Sequence, residues 1–366
     1  MNLTKRNNIF GAVLTGVAPS ANYRGDSEGN HTPLQRLRFP DGHDYTIYSA
    51  EAIRNRLREM LRGDDFPSNR SRVYDSDQLA VRFAKENDPI EYADDKMFGF
   101  LNIKSKDANE NTQPAKGRGA SQKLKPQKQG DSVLRINYAV SVTPYEDNDE
   151  TMHQSPQIWM GDAKKALRDS AIIYRGVHVT AYQYPFGLNL NDLQTPPNFN
   201  GTNERRTEIE ANNRRWTAKL LRAISELNGV GGNHARAMFP FAPVSIILRL
   251  TTRRTPDFDL YGYRLERQVS QRELLEALKG DRLLGDEFYI GGNIVRENDS
   301  LKSLPLYKRA NSNAGESPQS QPTGQKTQPT EQTELNKVRL FKTPLEAIEE
   351  LIFDAGLVVP EKEKTE

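Results

Sequence analysis

No cysteine occurs among the 366 residues. That excludes a disulfide framework, a thiol nucleophile and any zinc or iron–sulfur site built on thiolates. Long apolar runs are also missing, and nothing approaches the roughly 18 consecutive apolar residues of a membrane span. There is no excess of either charge: 51 Lys and Arg face 49 Asp and Glu, a net +2. This excludes a uniformly basic, polyanion-coating protein but leaves room for a local basic groove, which net charge does not see. Histidine is scarce. His31, His43, His153, His178 and His234 form neither HExxH nor H-x-H, and His178 sits in an alternating segment where a structural role is expected. GxSxG, Walker A and dinucleotide fingerprints are absent. The nearest glycine run, GVGGNHAR, lacks the Lys-Ser/Thr of a phosphate loop. The acidic pairs Asp64/Asp65, Asp94/Asp95 and Asp257/Asp259 read as solvated surface rather than a two-metal centre. No catalytic group, metal or cofactor is therefore expected. The charged start, Met1 to Asn8, runs into a glycine-punctuated strand, not a secretory signal, and a cytoplasmic setting is expected.

What is present alternates between buried elements and polar loops. IFGAVLTGVA reads as a buried strand, with Gly11 and Gly16 open to close approach. Tyr45 to Tyr48 reads as a short strand. Ser49 then stands where a helix cap belongs, before Ala50 to Arg62. Ile53, Leu57, Met60 and Leu61 share one face of that helix, and Arg54, Arg58 and Arg62 the opposite one. YDSDQLAVRFAKEND fits a helix. SVLRINYAVSVTPY reads as one strand, and so does SAIIYRGVHVTAY. A short helix is expected at Gly161 to Ser170. NERRTEIEANNRRWTAKLLRAISELNG reads as a long helix, stopped by Gly229, Gly231 and Gly232. Val244 to Leu250, FYIGGNIV and Pro344 to Phe353 read as strand, strand and closing helix. The order suggests an α+β fold on a split βαβ, or ferredoxin-like, core with large insertions.

Two segments carry no core. Asn102 to Ser132 has no aromatic residue and seven Lys or Arg against three acids, a basic arm that orders on a partner. Residues 311–335 form a Gln/Pro/Thr-rich linker. The expected division is thus a body over 1–310, the linker, and a closing helix and tail over 336–366.

Phosphate binding without chemistry fits these features. GVAPSANYRGDSEGNH supplies Asn22, Arg24 and Asn30, and the helix supplies Arg54 and Arg58. The arm supplies Lys123 and Lys125, and GVGGNHARA supplies Asn233, His234 and Arg236. Such donors are what nucleic-acid proteins aim at backbone phosphates. Tyr23, Phe239 and Phe241 stand near these loops as candidate stacking platforms.

These segments resemble a known family, the RNA-binding backbone subunit of the CRISPR Cascade surveillance complex, in the DevR-type branch typical of subtype I-B. The resemblance rests on IFGAVLTGVAPSANYRG with EGNHT, DYTIYSAEAIRNRLRE, DPIEYADDKMFGF, VLRINYAVSVTPY, YRGVHVTAYQYPFGLN and GGNHARAMFPFAP, in that order over residues 8–250. It implies an RRM-like palm with finger-like and thumb-like insertions. It also implies several copies aligned along one CRISPR RNA, presenting it for pairing with target DNA beside other Cascade subunits, in antiviral defence or guided transposition, with cutting left to separate proteins. Under it Asn22, Arg24, Asn30, Ser49, Arg54, Arg58, Lys123, Lys125, Asn233, His234 and Arg236 are the expected RNA contacts, Ser49 through the free N–H groups of the helix start. An endoribonuclease and a protein-only scaffold are the alternatives. The first would show metal-dependent cleavage, the second association that salt does not weaken.

Overall fold

The computed structural model describes residues 6–23, 31–74, 79–83, 85–101, 129–146, 150–154, 172–196, 199–231, 238–265, 269–280, 282–309, 335 and 337–358. Nine strands build the main sheet: β1 (Asn8–Thr15), β2 (Arg36–Arg38), β3 (Asp44–Tyr48), β4 (Arg135–Ile136), β5 (Ala139–Ser141), β6 (Tyr182–Asn189), β7 (Pro243–Thr251), β8 (Phe288–Gly292) and β9 (Arg339–Phe341). Their order is β9-β8-β7-β1-β6-β5-β3-β2, with β4 also on β6. Every pair is antiparallel except β8 with β9.

The centre of this sheet is the expected split βαβ. β1 leads through helix α1 (Ala50–Leu61) to β4 and β5, and β6 leads through the long helix α3 (Asn203–Ser225) to β7. The order β7-β1-β6-β5 with antiparallel neighbours is that of a ferredoxin-like fold. Between α1 and β4 stands the short helix α2 (Ala93–Phe98). Further on come α4 (Arg272–Lys279) and the closing helix α5 (Pro344–Asp354).

β1 is apolar from Ile9 to Leu14 because both of its faces are covered along most of its length. Ile9 and Val13 join one core with Ile53, Leu57 and Leu61 of α1, Trp216, Leu220 and Ile224 of α3, and Ile348 and Leu351 of α5. Ala12 and Leu14 join a second core with Leu274 and Leu278 of α4 and Ile294. Gly11 is required by a ring: a Cβ there would lie 2.3 Å from Phe186 on β6. The partner expected at that glycine is thus the protein itself. The closing helix is capped by Thr343, carries Pro344 in its first turn, and is tied to α3 by the Arg222–Glu349 pair at 2.6 Å and 2.8 Å. No described helix is long and apolar enough to cross a membrane.

Several local expectations are corrected. The segment after Asn69 forms no helix. Arg70–Tyr74 and Leu79–Phe83 pair antiparallel, with Tyr74 opposite Leu79, as Val, Tyr and Phe at alternate spacing favour. SVLRINYAV is split between β4 and β5, and SAIIYRGVHVT between Ile172–Gly176 and His178–Thr180, which pair in different sheets. Phe239 and Phe241 are core, not stacking platforms. Phe241 packs edge-on with Tyr48 at 4.7 Å, Phe239 with Tyr182 at 5.1 Å, and the two phenylalanines with each other at 5.3 Å. Tyr23 is likewise buried, beside Ala21 and Leu34. His178 is buried, its Nδ1 bonded to Thr46 at 2.7 Å. The expected helix at 161–170 lies outside the described residues.

Candidate nucleic-acid interface

α1 begins where Ser49 accepts a hydrogen bond from the Ala52 N–H at 3.1 Å. Ile53, Leu57 and Leu61 fix its inner face in the core. The spacing then sets Glu51, Arg54, Asn55 and Arg58 in one stripe. That stripe lines a cavity of about 540 Å³, closed by Arg70, Phe98 to Phe100 and Gly130 to Ser132.

Arg54 and Arg58 both donate to the Phe98 carbonyl, at 2.8 Å and 3.4 Å. Arg58 also lies 4.6 Å over the Phe98 ring. The Nε atoms of both arginines are buried without a hydrogen-bond partner. Neither arginine forms an ion pair among the described residues. Arg70 completes the group, donating to the Gly99 carbonyl at 3.4 Å. Burial, then Arg70 and Arg54, push the Arg58 guanidinium down to about 9. Burial lowers Arg54 as well, and Arg70 adds to it. Glu51 and Asp131 line the same cavity, Glu51 opposes the lowering of Arg54, and Asp94 and Asp95 oppose that of Arg58. Neither arginine bonds a carboxylate among the described residues, so both keep charge to offer an anion.

The floor is held by side chains expected on the surface. Asp94 and Asp95 are 1% exposed each, a correction to their reading as solvated. Asp94 accepts from Ser68 and the Asn69 N–H. Asp95 accepts from Asn69, Asn87 and the Asp88 N–H. Burial raises the Asp95 carboxyl above its ordinary value, against those hydrogen bonds. The pair fixes α2 against the start of the Arg70 strand. Gly99 then ends α2 at φ +68°, and a Cβ there would lie 2.5 Å from the Gly130 carbonyl. Only glycine lets residues 98–100 and 130–132 close the cavity so tightly.

The other expected contacts stand as follows. Asn22 is 4% exposed and donates its amide to the Ile47 carbonyl at 2.8 Å, so it braces β3 from inside. Ser49 is half-buried, with its oxygen committed to the cap. S49A is therefore expected to cost about 1 kcal/mol in thermal unfolding. S49D should keep that stability yet weaken RNA binding if the helix start faces phosphate. Arg24, Asn30, Lys123, Lys125, Asn233, His234 and Arg236 lie outside the described residues. The nearer end of the glycine loop is described: Arg56 donates to the Asn228 carbonyl at 2.7 Å, beside Gly229 at φ +65°. Arg70 went unnoticed in the sequence, since nothing in the strand pattern around it marks one arginine over its neighbours.

The resemblance drawn from the sequence is borne out by a curated relative, the CRISPR-associated protein Cas7/Cst2/DevR of Myxococcus xanthus (strain DK1622). It is 29% identical over 301 residues, covering 78% of this chain and 87% of the relative. Two solved chains, one described as a CRISPR RNA-guided surveillance complex and the other as a CRISPR RNA-guided surveillance complex, pre-nicking, align over 95% of this chain and 99% of theirs. Each is 13% identical, with TM-scores of 0.49 and 0.48. No established family profile matches the chain.

Proposed function

We propose that this chain is a non-catalytic CRISPR RNA-binding backbone subunit. It lines up with further copies of itself along a guide RNA in a Cascade complex and presents that RNA to target DNA beside other Cascade subunits. One observation carries the reading: two half-buried guanidiniums face one cavity, share a single carbonyl and form no ion pair among the described residues. A phosphodiester in the cavity supplies an anionic acceptor for their outer NH2 groups. The 29% identity to a CRISPR-associated relative supports the assignment of that anion to RNA. Arg70 joins Arg54 and Arg58 in the grip. Ser49, Arg24, Asn30, Lys123, Lys125, Asn233, His234 and Arg236 remain its proposed companions.

The test is single-stranded RNA affinity against salt for R54E/R58E, with R54Q/R58Q alongside as a neutral pair less prone to unfold. Each lost phosphate contact should lower the slope of log affinity against log salt by about 0.7, roughly 1.4 for the pair. Unchanged affinity and slope in both variants would remove the cavity from the RNA path.

A further inference from the structure

The sheet has a second cavity, on the face away from α1 and α3. Along β1, Phe10 points with Ala12 and Leu14, opposite to Ile9 and Val13. α4 and its neighbours cover that face only over Ala12 and Leu14. Beyond them, where Phe10 pairs with Gly187 and Gly187 pairs with Arg135, the face opens into a hollow of about 850 Å³.

Its chemistry is one-sided. Among the described residues no carboxylate lines it, while Arg135 and Arg254 do. Arg254 is exposed and forms no hydrogen bond or ion pair among the described residues. Arg135 is 73% exposed, 3.9 Å from Asp192, which is 40% exposed. Three of the lining amides are turned to donate. Asn137 accepts the Tyr138 N–H at 2.8 Å, and Asn189 accepts the Asn191 N–H at 3.0 Å. A backbone N–H only donates, so the accepting atom is oxygen in each case, and the NH2 groups are left over. The Asn7 oxygen is similarly taken, by the Asn8 amide at 2.8 Å. Phe10 supplies a half-buried ring in the same hollow. It covers Gly187, where a Cβ would lie 3.6 Å from the ring.

We infer that this hollow is a second binding site for single-stranded nucleic acid, taking about one nucleotide: its phosphate on Arg135, Arg254 and the asparagine NH2 groups, its base against Phe10. Two cations and a ring of fixed donors suit a phosphodiester, and an aromatic floor suits any base regardless of sequence. The inference does not rest on the Arg54–Arg58 cavity, which lies on the opposite face. The strand can be RNA or DNA, since both offer this chemistry.

The experiment uses the full chain with short single strands carrying 5-iodouridine or 5-iododeoxyuridine, irradiated and mapped by mass spectrometry. Attachment at Phe10 is expected with at least one strand type, and the reactive type identifies the source. It should persist in R54E/R58E, whose failure concerns the other cavity, and vanish in R135E/R254E. Those arginines are exposed, so their reversal spares the fold, and it should weaken binding of the reactive strand roughly tenfold at low salt. F10L keeps Gly187 covered and should lose attachment with a several-fold drop in affinity. No attachment at Phe10 from either strand would overturn the inference. So would R135E/R254E altering self-association in sedimentation while leaving nucleic-acid affinity intact, which would make the hollow a seat for an acidic protein surface.

Discussion

Replacing Arg58 with methionine should make the RNA-free protein more stable, by about 1 to 2 kcal/mol, while weakening its hold on RNA. Arg58 is half-buried, stands beside two further guanidiniums, and has a buried Nε without a hydrogen-bond partner. Its one hydrogen bond, to the Phe98 carbonyl, is long at 3.4 Å. Methionine keeps contact with the Phe98 ring and removes a half-buried charge that Asp94 and Asp95 offset only in part. Bound phosphate reverses the balance, because it adds counter-charge beside the guanidiniums. Thermal unfolding with and without a short RNA separates the two states. R58M should melt higher than wild type alone and gain less from RNA. A variant that melts lower alone and gains as much would show Arg58 to be an ordinary structural arginine.

Arg249 should behave in the opposite way. It is 2% exposed on β7 and fully engaged. Its Nε donates to Glu287 at 2.8 Å, another nitrogen stands 2.7 Å from the same carboxylate, and a third donates to Asp257 at 2.9 Å. Thr251 donates to the second Glu287 oxygen at 2.9 Å. R249M strands a Glu287 that is 4% exposed, and should cost about 3 to 5 kcal/mol. R249M/E287L removes both charges and should recover most of that loss. Denaturant midpoints measure both. The two arginines thus carry opposite signs, and the difference is that carboxylates bond Arg249 directly whereas none bonds Arg58 among the described residues.

That difference shows what the sequence could and could not disclose. The face of α1 was legible because helical periodicity is local: Ile53, Leu57 and Leu61 must turn inward, so Arg54 and Arg58 turn elsewhere. The split βαβ was legible for the same reason, through runs such as Val244 to Leu250. Which arginines lack a partner was not legible. Glu287 lies 38 residues from Arg249, and Arg70 reaches the cavity from a strand in which nothing marks it over its neighbours. Asp94 and Asp95 looked solvated because their donors, Ser68, Asn69 and Asn87, come from segments folded onto α2 from outside it. Phe239 and Phe241 looked like loop aromatics because they stand just after a glycine run, yet Tyr48 and Tyr182 hold them in the core. Pairing across the chain decided each of these.

The most direct measurement is the nucleic acid that the protein carries when it is produced together with a CRISPR array. Wild type should elute as an oligomer with a high 260-to-280 nm absorbance ratio and a discrete guide-length RNA on a denaturing gel. R54Q/R58Q should elute folded and carry far less guide RNA than wild type. Wild type without RNA, or equal RNA in both, would contradict the central claim that this arginine cavity grips a guide.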